Sequence, residues 1–261
     1  MNFNNKTITL TFGDRAENHV GMQIIGKLSN NGFTHDDLLL AKQNFENKNC
    51  VCELINLKEK CDKANEDAYI LIIRNGVNIL IDNANDLFNE HSVLDVDKKA
   101  FMYGRVVNKK ARHNLCFSEI SQEPDYKNGQ GRLIAFNDVP LTQIIRNKLP
   151  EFVGGAATGL QCEGNYYYDN RVCGIGYHTD NERKKVIGVR IGATMPLCYV
   201  WYYNNKPCSN ILKFNLNHGD IYIMSEFTTG NNCKKKNIYT LRHSAGCDKY
   251  TNIENVNVEM L

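Results

Sequence analysis

The feature that most constrains the fold is a series of short predicted strands, separated by turn residues, in the second half of the chain. Strands of this length and spacing favour an antiparallel sandwich or jelly roll over a parallel sheet. One helix is predicted among them, at 140–149, with Pro140 near its first turn. The strands are expected at residues 101–107, 165–168, 174–178, 186–191, 199–203, 211–216 and 220–224.

The first 95 residues differ in pattern and are predicted to form a small α/β module, separate from a second domain at 96–261. Two apolar runs, at 68–73 and 77–81, flank the turn Asn75-Gly76 and predict a β-hairpin. His19 is interpreted as part of a helix N-terminus, where it satisfies backbone groups. The other elements expected are a strand at 7–12, a helix from about 17 to 28, a helix at 36–45, a strand and a helix at 53–64, and a short helix within 82–97.

The composition is that of a globular protein, and its balanced charge does not indicate a binding partner. A hydrophobic share of 42% is ordinary for a globular chain of 261 residues. With 31 basic and 29 acidic side chains, any polyanion site must come from local clusters. The ten cysteines follow no N-terminal signal stretch, which predicts a reducing, intracellular compartment, either cytoplasmic or nuclear. The absence of an apolar run of about 18 residues predicts no membrane span.

Possible metal ligands stand at the end of the stretch 165–180, which reads NYYYDNRVCGIGYHTD. His178 and Asp180, two apart at the end of a strand, can point their ligand atoms at one centre. With a distant second histidine they would form the two-His, one-carboxylate face that holds Fe(II) and leaves three positions open. By itself, H-x-D also fits a solvated polar turn. The candidates for the second histidine are His243 and His218.

The context of this motif is more specific. Asn165-x-Tyr167 precedes a turn, a small-residue strand and the H-x-D motif, and Arg242-His243-Ser244 follows the apolar strand 216–225. This arrangement resembles the AlkB-like branch of the 2-oxoglutarate/Fe(II) dioxygenases over residues 99–261. The resemblance implies a double-stranded β-helix, or jelly roll, with the ligands around one open end. It implies His178, Asp180 and His243 as catalytic metal ligands and makes His218 part of a structural turn.

The resemblance also implies 2-oxoglutarate and O2 as co-substrates. Asn165 and Tyr167 match family positions that hydrogen-bond the 2-oxoglutarate carboxylates, although Tyr167 also fits an ordinary strand aromatic. The family ends in an R-x-N-x-T-x-R strand whose first arginine pairs with the distal carboxylate. Here Asn257 is kept and is expected to contact the co-substrate, whereas both arginines are missing from 255–261.

A buried dicarboxylate needs a cation, because burying an unpaired charge is costly. Arg190, Arg242 and Lys249 are the candidate replacements. Arg190 is the first choice, since it is one charged residue among apolar strand residues, although an outward-facing strand arginine would show the same pattern. A relative that lost co-substrate binding and kept the fold remains an alternative.

Basic tracts suggest the substrate. Residues 108–114, NKKARHN, stand where the family's nucleotide-recognition lid begins, and their cations suit phosphate contacts. Further tracts are Arg183-Lys184-Lys185 and Lys234-Lys235-Lys236, and each tract alone also fits a solvated loop. The residues expected to bind substrate are Lys109, Lys110, Arg112, His113 and Arg183, and those that could stack a flipped base are Tyr126, Tyr166 and Trp201.

The hypothesis is therefore an Fe(II)/2-oxoglutarate-dependent dioxygenase that demethylates or hydroxylates a base of single-stranded DNA or RNA. Two alternatives stay open. One is a protein hydroxylase of the same fold, in which the N-terminal module recruits a polypeptide. The other is an inactive binding protein.

Overall fold

A computed structural model describes residues 3–230, 232 and 237–261. The strands are β1 Thr7–Gly13, β2 Arg15–Glu17, β3 Ile24–Gly26, β4 Cys52–Asn56, β5 Tyr69–Ile73, β6 Lys99–Met102, β7 Arg105–Asn108, β8 His113–Ser118, β9 Leu133–Ala135, β10 Gln161–Tyr167, β11 Gly174–His178, β12 Val186–Gly192, β13 Met195–Tyr203, β14 Lys206–Pro207, β15 Ile211–Leu216, β16 Ile221–Met224, β17 Tyr239–Gly246 and β18 Val258–Met260. The helices are α1 His35–Glu46, α2 Val77–Ile81, α3 Ala84–Ser92, α4 Pro140–Val153 and α5 Asp248–Thr251.

Two large sheets form the body of the protein. The eight-stranded sheet has the order β4-β5-β16-β12-β1-β10-β8-β9. The six-stranded sheet has the order β11-β17-β13-β15-β18, with β14 paired to β13. Neighbouring strands are antiparallel except β8 with β9 and β15 with β18. The fold is thus rich in β-structure, as the short strands of the sequence predicted.

The two sheets pack against each other through large apolar side chains. Trp201 and Phe214 of the six-stranded sheet share one buried cluster with Ile70, Ile72 and Met224 of the eight-stranded sheet. Successive strand residues point to opposite faces, and the residues on the other face of the eight-stranded sheet are apolar as well.

Helices cover that second face. Leu10 and Phe12 of β1 pack there with Leu38 and Phe45 of α1 and with Leu149 of α4. The protein therefore has three layers, with the eight-stranded sheet between the helices and the six-stranded sheet. No helix among the described residues is both long and apolar enough to cross a membrane.

The predicted boundary near residue 95 does not separate two structural units, and this prediction is corrected. β1 lies between β10 and β12, and β5 lies between β4 and β16. Strands from residues 1–95 therefore share one sheet with strands from 96–261. Sequence order alone cannot reveal such pairing, because hydrogen bonds between strands join residues that are far apart in the chain.

Several local predictions are confirmed and three are wrong. The single strand expected at 101–107 is the β6–β7 hairpin, with its turn at Tyr103 and Gly104. The helix at 36–45 is α1, with a capping box between Thr34 and Asp37, and the helix at 140–149 is α4. The residues predicted as a helix from 17 to 28 instead contain the β2–β3 hairpin. The predicted return strand at 77–81 is the helix α2. It could not pair with β5, because β4 and β16 already occupy both edges of that strand.

Candidate metal centre

Two neighbouring strands bring the predicted ligands together. His178 ends β11, and His243 lies opposite it in register on β17. Asp180 stands two residues beyond the end of β11, where its backbone N–H donates to the carbonyl of Thr229 at 3.0 Å. Strand pairing thus sets the positions of the two histidines relative to each other, and one backbone hydrogen bond sets the position of Asp180.

The ligand atoms face one another closely. The Nε2 atom of His178 is 3.8 Å from one Asp180 oxygen, and that of His243 is 3.5 Å from the other. All three ligand atoms lie within 4.8 Å of one another. The Nδ1–H of His178 donates to the carbonyl of Gly176 at 2.9 Å, because a carbonyl can only accept. This bond keeps Nε2 of His178 deprotonated and available as a ligand.

The electrostatic setting suits a cation. Burial, together with the neighbouring His243, lowers the pKa of His178 to about 4. Burial and Arg183 lower the pKa of His243 to about 4 as well. Burial raises the pKa of Asp180, since a carboxylate loses its hydration there. Two neutral imidazoles and one carboxylate are the donor set of a divalent-metal site with open positions, and the residues present fit such an ion.

His218 does not belong to this group. Its Nδ1 accepts the backbone N–H of Gly192 at 3.0 Å, and its ring packs against Phe3. It has a structural role where β12 ends, and it does not line the cavity that contains the His178, Asp180 and His243 cluster.

That cavity has a volume of about 540 Å³ and lies between the two sheets. Arg190 of β12 lines it, although only 1% of this residue is exposed. Its Nη1 makes one long bond, 3.4 Å to the carbonyl of Met195, and its Nε has no partner. Burial lowers the pKa of Arg190. No ion pair joins this guanidinium to any residue that the structure describes.

Thr9 of β1 stands beside Arg190 in the cavity wall. The two residues are direct partners in the β1–β12 register. The hydroxyl of Thr9 is buried and has no hydrogen-bond partner within the described chain. A buried cation and a buried hydroxyl, both unsatisfied and adjacent, form a place where a carboxylate would gain hydrogen bonds and charge compensation.

Asn165 and Tyr167 also line the cavity. The Oδ1 of Asn165 accepts from Arg112 Nε at 2.6 Å and from Asn114 Nδ2 at 2.7 Å. Its Nδ2 donates to Glu163 at 2.9 Å. The oxygen of this amide is therefore saturated by the protein, and one N–H is left for a ligand.

The other candidate cations and Asn257 are arranged differently. Arg242 lines the cavity, but its guanidinium lies over the ring of Tyr202 and donates to Asn205. Lys249 is exposed beside Tyr250, outside the cavity. Asn257 is exposed next to β15, at the far edge of the six-stranded sheet, so the prediction that it contacts the co-substrate is wrong.

Arg112 is the one member of the tract 108–114 that lines the cavity. Lys109 donates to the side chain of Asn18 at 2.8 Å, and burial lowers its pKa to about 8. Lys110 is exposed, and His113 stacks on Tyr168 with ring centroids 4.9 Å apart. The tract therefore has three environments: Arg112 is in the cavity wall, Lys109 makes an internal contact, and Lys110 is on the surface.

The second basic tract is held by internal contacts, and only Arg183 of it lines the cavity. Arg183 is buried and paired with Glu163 and Glu182. The backbone N–H groups of Lys184 and Lys185 donate to Asp14. The third tract, Lys234-Lys235-Lys236, lies outside the described residues.

The aromatic residues proposed to stack a base are engaged elsewhere. Trp201 is buried between the sheets and donates to the carbonyl of Leu57. Tyr166 hydrogen-bonds His91, and the hydroxyl of Tyr126 donates to Asp97. None of the three lines the cavity.

Sequence reasoning missed a second set of cavity residues. They belong to β1, to the end of β2 and to the connection between β2 and β3, and they are Thr9, Thr11, Glu17, Asn18, His19 and Val20. The residues around His19, which the sequence pattern predicts as a helix N-terminus, form this connection instead. The alternation of threonine with apolar residues in β1 was the available signal, since it marks one polar face of a strand.

Fold and site together define a two-sheet, β-rich protein with a His-Asp-His cluster in a deep cavity. No family model matches the chain. The chain is 49% identical over 249 residues, 94% of its length and 97% of the relative's, to "Uncharacterized protein R156" of Acanthamoeba polyphaga mimivirus. It belongs to the same family as that viral protein.

Proposed function

We propose that this protein is an Fe(II)- and 2-oxoglutarate-dependent oxygenase of the AlkB-like kind, with a jelly-roll catalytic fold. One observation carries the proposal. A two-His, one-carboxylate cluster and an unpaired, buried arginine line the same cavity. A keto acid with a distal carboxylate needs both features, because its keto acid end binds a metal and its other end needs a cation.

Each residue then has a defined task. His178, Asp180 and His243 would hold Fe(II), which would supply O2 activation coupled to decarboxylation of the keto acid. Arg190 and Thr9 bind the distal carboxylate and orient the co-substrate. Apolar side chains lining the cavity keep bulk water away, and they are Ile175, Val186, Leu197, Met224 and Ala245.

The proposed substrate is a base of single-stranded DNA or RNA, which would be demethylated or hydroxylated. Residues 98–113 form the β6–β7 hairpin and the start of β8, and they contain no acidic side chain. Tyr103 at the hairpin tip is 90% exposed. Arg112 connects this basic surface to the cavity. The exposed cations of this surface are Lys98, Lys99, Arg105 and Lys110, whereas Lys109 is held internally by Asn18.

The test is an anaerobic titration with Fe(II) and 2-oxoglutarate that follows the visible charge-transfer band of the chelate. The wild-type protein should develop the band, and His178→Ala should not. Arg190→Gln should raise the 2-oxoglutarate concentration at half-saturation about tenfold or more, because a charge-assisted pair to a carboxylate is lost.

Arg171→Gln is the matched control, since Arg171 is exposed and pairs with Asp169 on the surface. It should titrate like the wild type. If metal binds but no band forms with 2-oxoglutarate, the protein is not an oxygenase of this type, and a ligand-binding role replaces the proposal.

A further inference from the structure

Two cysteines, one from a connection of each large sheet, meet at the border of the core between the sheets. Every cysteine that the structure describes is a free thiol. Cys61 follows the 3₁₀ turn Leu57–Lys60 in the β4–β5 connection, and Cys208 lies between β14 and β15. The thiol of Cys208 hydrogen-bonds that of Cys61. The pair therefore joins a connection of the eight-stranded sheet to one of the six-stranded sheet.

Neighbouring contacts hold the two cysteines side by side. The backbone N–H of Cys208 donates to the carbonyl of Trp201 at 2.8 Å. The Nε1–H of Trp201 donates in turn to the carbonyl of Leu57 at 2.9 Å. Leu57, Cys61 and Trp201 also share one buried apolar cluster. A disulfide forms without backbone movement where two cysteines already lie next to each other, and these two do.

Metal binding does not account for this pair. A structural zinc site needs four ligands, which are usually cysteine or histidine. Among the described residues, the side chains close enough to share a metal ion are those of His178, Asp180 and His243. No third ligand from this part of the chain joins Cys61 and Cys208. Thiol–disulfide chemistry is therefore the reaction that suits the pair.

The two sulfur atoms differ in their exposure to solvent. Cys208 is exposed, whereas only 8% of Cys61 is exposed. A dissolved oxidant would therefore meet Cys208 first, and Cys61 would be the resolving thiol. Burial, followed by the neighbouring Cys61, raises the pKa of Cys208 to about 11. Its thiolate is scarce at neutral pH, so the bond is expected to form slowly.

We propose that Cys61 and Cys208 are a redox modification site, at which a reversible disulfide links the two sheets. The oxidant is a low-molecular-weight disulfide such as glutathione disulfide. The Cys208 thiolate attacks one glutathione sulfur and releases one glutathione, and the Cys61 thiolate then attacks the Cys208 sulfur and releases the second. Two protein thiols are oxidised to one disulfide. One glutathione disulfide is reduced to two glutathione molecules, which take up the two thiol protons.

The disulfide would stabilise the folded protein. It joins residues that are far apart in the chain, and such a bond removes much of the conformational freedom of the unfolded state. In a reducing compartment the two thiols would stay reduced, and the disulfide would form where the thiol pool becomes oxidised. This inference is independent of the proposed function, because it uses neither the metal centre nor the cavity.

The test incubates the folded protein overnight with an excess of glutathione disulfide and then alkylates the remaining thiols with N-ethylmaleimide. Mass spectrometry of a non-reducing digest should detect a cross-linked peptide that contains Cys61 and Cys208. Dithiothreitol should remove this peptide. The oxidised protein should melt about 4–8 °C above the reduced protein.

Cys208→Ser should lose both the cross-linked peptide and the rise in melting temperature. Cys247→Ser is the matched control, because Cys247 is half-buried and its backbone bonds Cys173, beside the opposite edge of the six-stranded sheet. This variant should keep both signals of the wild type.

A wild type that binds glutathione at Cys208 without forming the cross-link would overturn the inference, and so would the absence of any reaction at the two cysteines. A cross-link without a rise in melting temperature would refute its stabilising role. A rise that persists in Cys208→Ser would assign the effect to other thiols. If that variant does not fold, the cross-linked peptide and the melting temperature of the wild type decide the question.

Discussion

At the scale of single residues, Arg190 and Arg183 form an instructive contrast. Both guanidinium groups are buried and both line the cavity. Arg183 is paired with two carboxylates, whereas Arg190 has one long hydrogen bond to a carbonyl. An unpaired buried charge destabilises a folded protein, so its presence points to a ligand that completes the pair.

We therefore expect Arg190→Met to stabilise the ligand-free protein by about 1–3 kcal/mol, because an unpaired charge is replaced by an apolar side chain of similar length. The same variant should lose the further stabilisation that 2-oxoglutarate gives the Mn(II)-loaded wild type, which is about 2.7 kcal/mol at a hundredfold excess over Kd. Urea unfolding with and without the ligands measures both effects.

Arg183→Met is the control for this prediction. It leaves Glu163 and Glu182 without their cation and should destabilise by about 3–5 kcal/mol. If Arg190→Met destabilises the ligand-free protein to a similar extent, Arg190 is a structural residue and the anion site is refuted.

At the scale of elements, the β6–β7 hairpin joins neither large sheet, a property that it shares with the β2–β3 hairpin. Its two strands pair with each other, and Tyr103 and Gly104 at its tip have positive φ angles of 53° and 74°. The side chains of Lys98, Lys99 and Arg105 in and beside this hairpin are exposed. Their charges are available to bind phosphate groups.

Replacing Lys98, Lys99 and Arg105 together by glutamine should weaken oligonucleotide binding and reduce its salt dependence. The slope of log K against log salt should fall by about 2, since each lost phosphate contact on a single strand contributes about 0.7. Fluorescence anisotropy over a salt series measures the slope.

A triple variant of Lys48, Lys63 and Lys206, all exposed elsewhere, removes the same charge and should leave the slope nearly unchanged. If the slope falls equally in the two triple variants, net charge rather than the hairpin is responsible for oligonucleotide binding. A salt-insensitive interaction with a peptide instead would favour the protein hydroxylase alternative.

The β2–β3 hairpin was predicted as a helix, and this error concealed residues that line the cavity. Ile24, Ile25 and Leu28 have spacing that suits a helix, yet Ile24 and Leu28 are each more than 40% exposed. These residues do not form the buried stripe that would stabilise a helix. Instead the Glu17 backbone N–H donates to Glu163 of β10, which draws the segment into an extended conformation over the cavity.

At the scale of the whole molecule, β1 is the element on which the eight-stranded sheet depends. It pairs with β10 over seven residues and with β12 over six. It also supplies Thr9 to the cavity. Without β1, a fragment of residues 96–261 would leave β10 and β12 each with an unpaired edge.

The fragment 96–261 should therefore fail to fold, although it spans the entire segment that resembles the oxygenase family. Circular dichroism and NMR dispersion should indicate an unfolded or aggregated chain, and co-expression with 1–95 should restore folding. Removing residues 258–261 is the control, because β18 lies at an edge and pairs with one strand. A folded 96–261 fragment would contradict this view of the sheet.

The sequence by itself determined the β-rich class, most strand positions and the metal-ligand candidates. Those properties follow from short-range patterns: period-two alternation, turn residues and the spacing of His178 and Asp180. It also singled out Arg190, since one charge among apolar strand residues is conspicuous. The sequence could not tell whether Arg190 faces the interior or the solvent. Alternation separates the two faces of a strand, but it does not show which element packs against each face.

Tertiary structure decided the rest. Val189 and Ile191 pack toward the helices, so Arg190 must point between the sheets. The register of β1 against β12 sets Thr9 beside it, and the register of β11 against β17 sets His243 opposite His178. These contacts join residues 65 to 181 positions apart, and no local preference of the chain encodes a pairing at that distance.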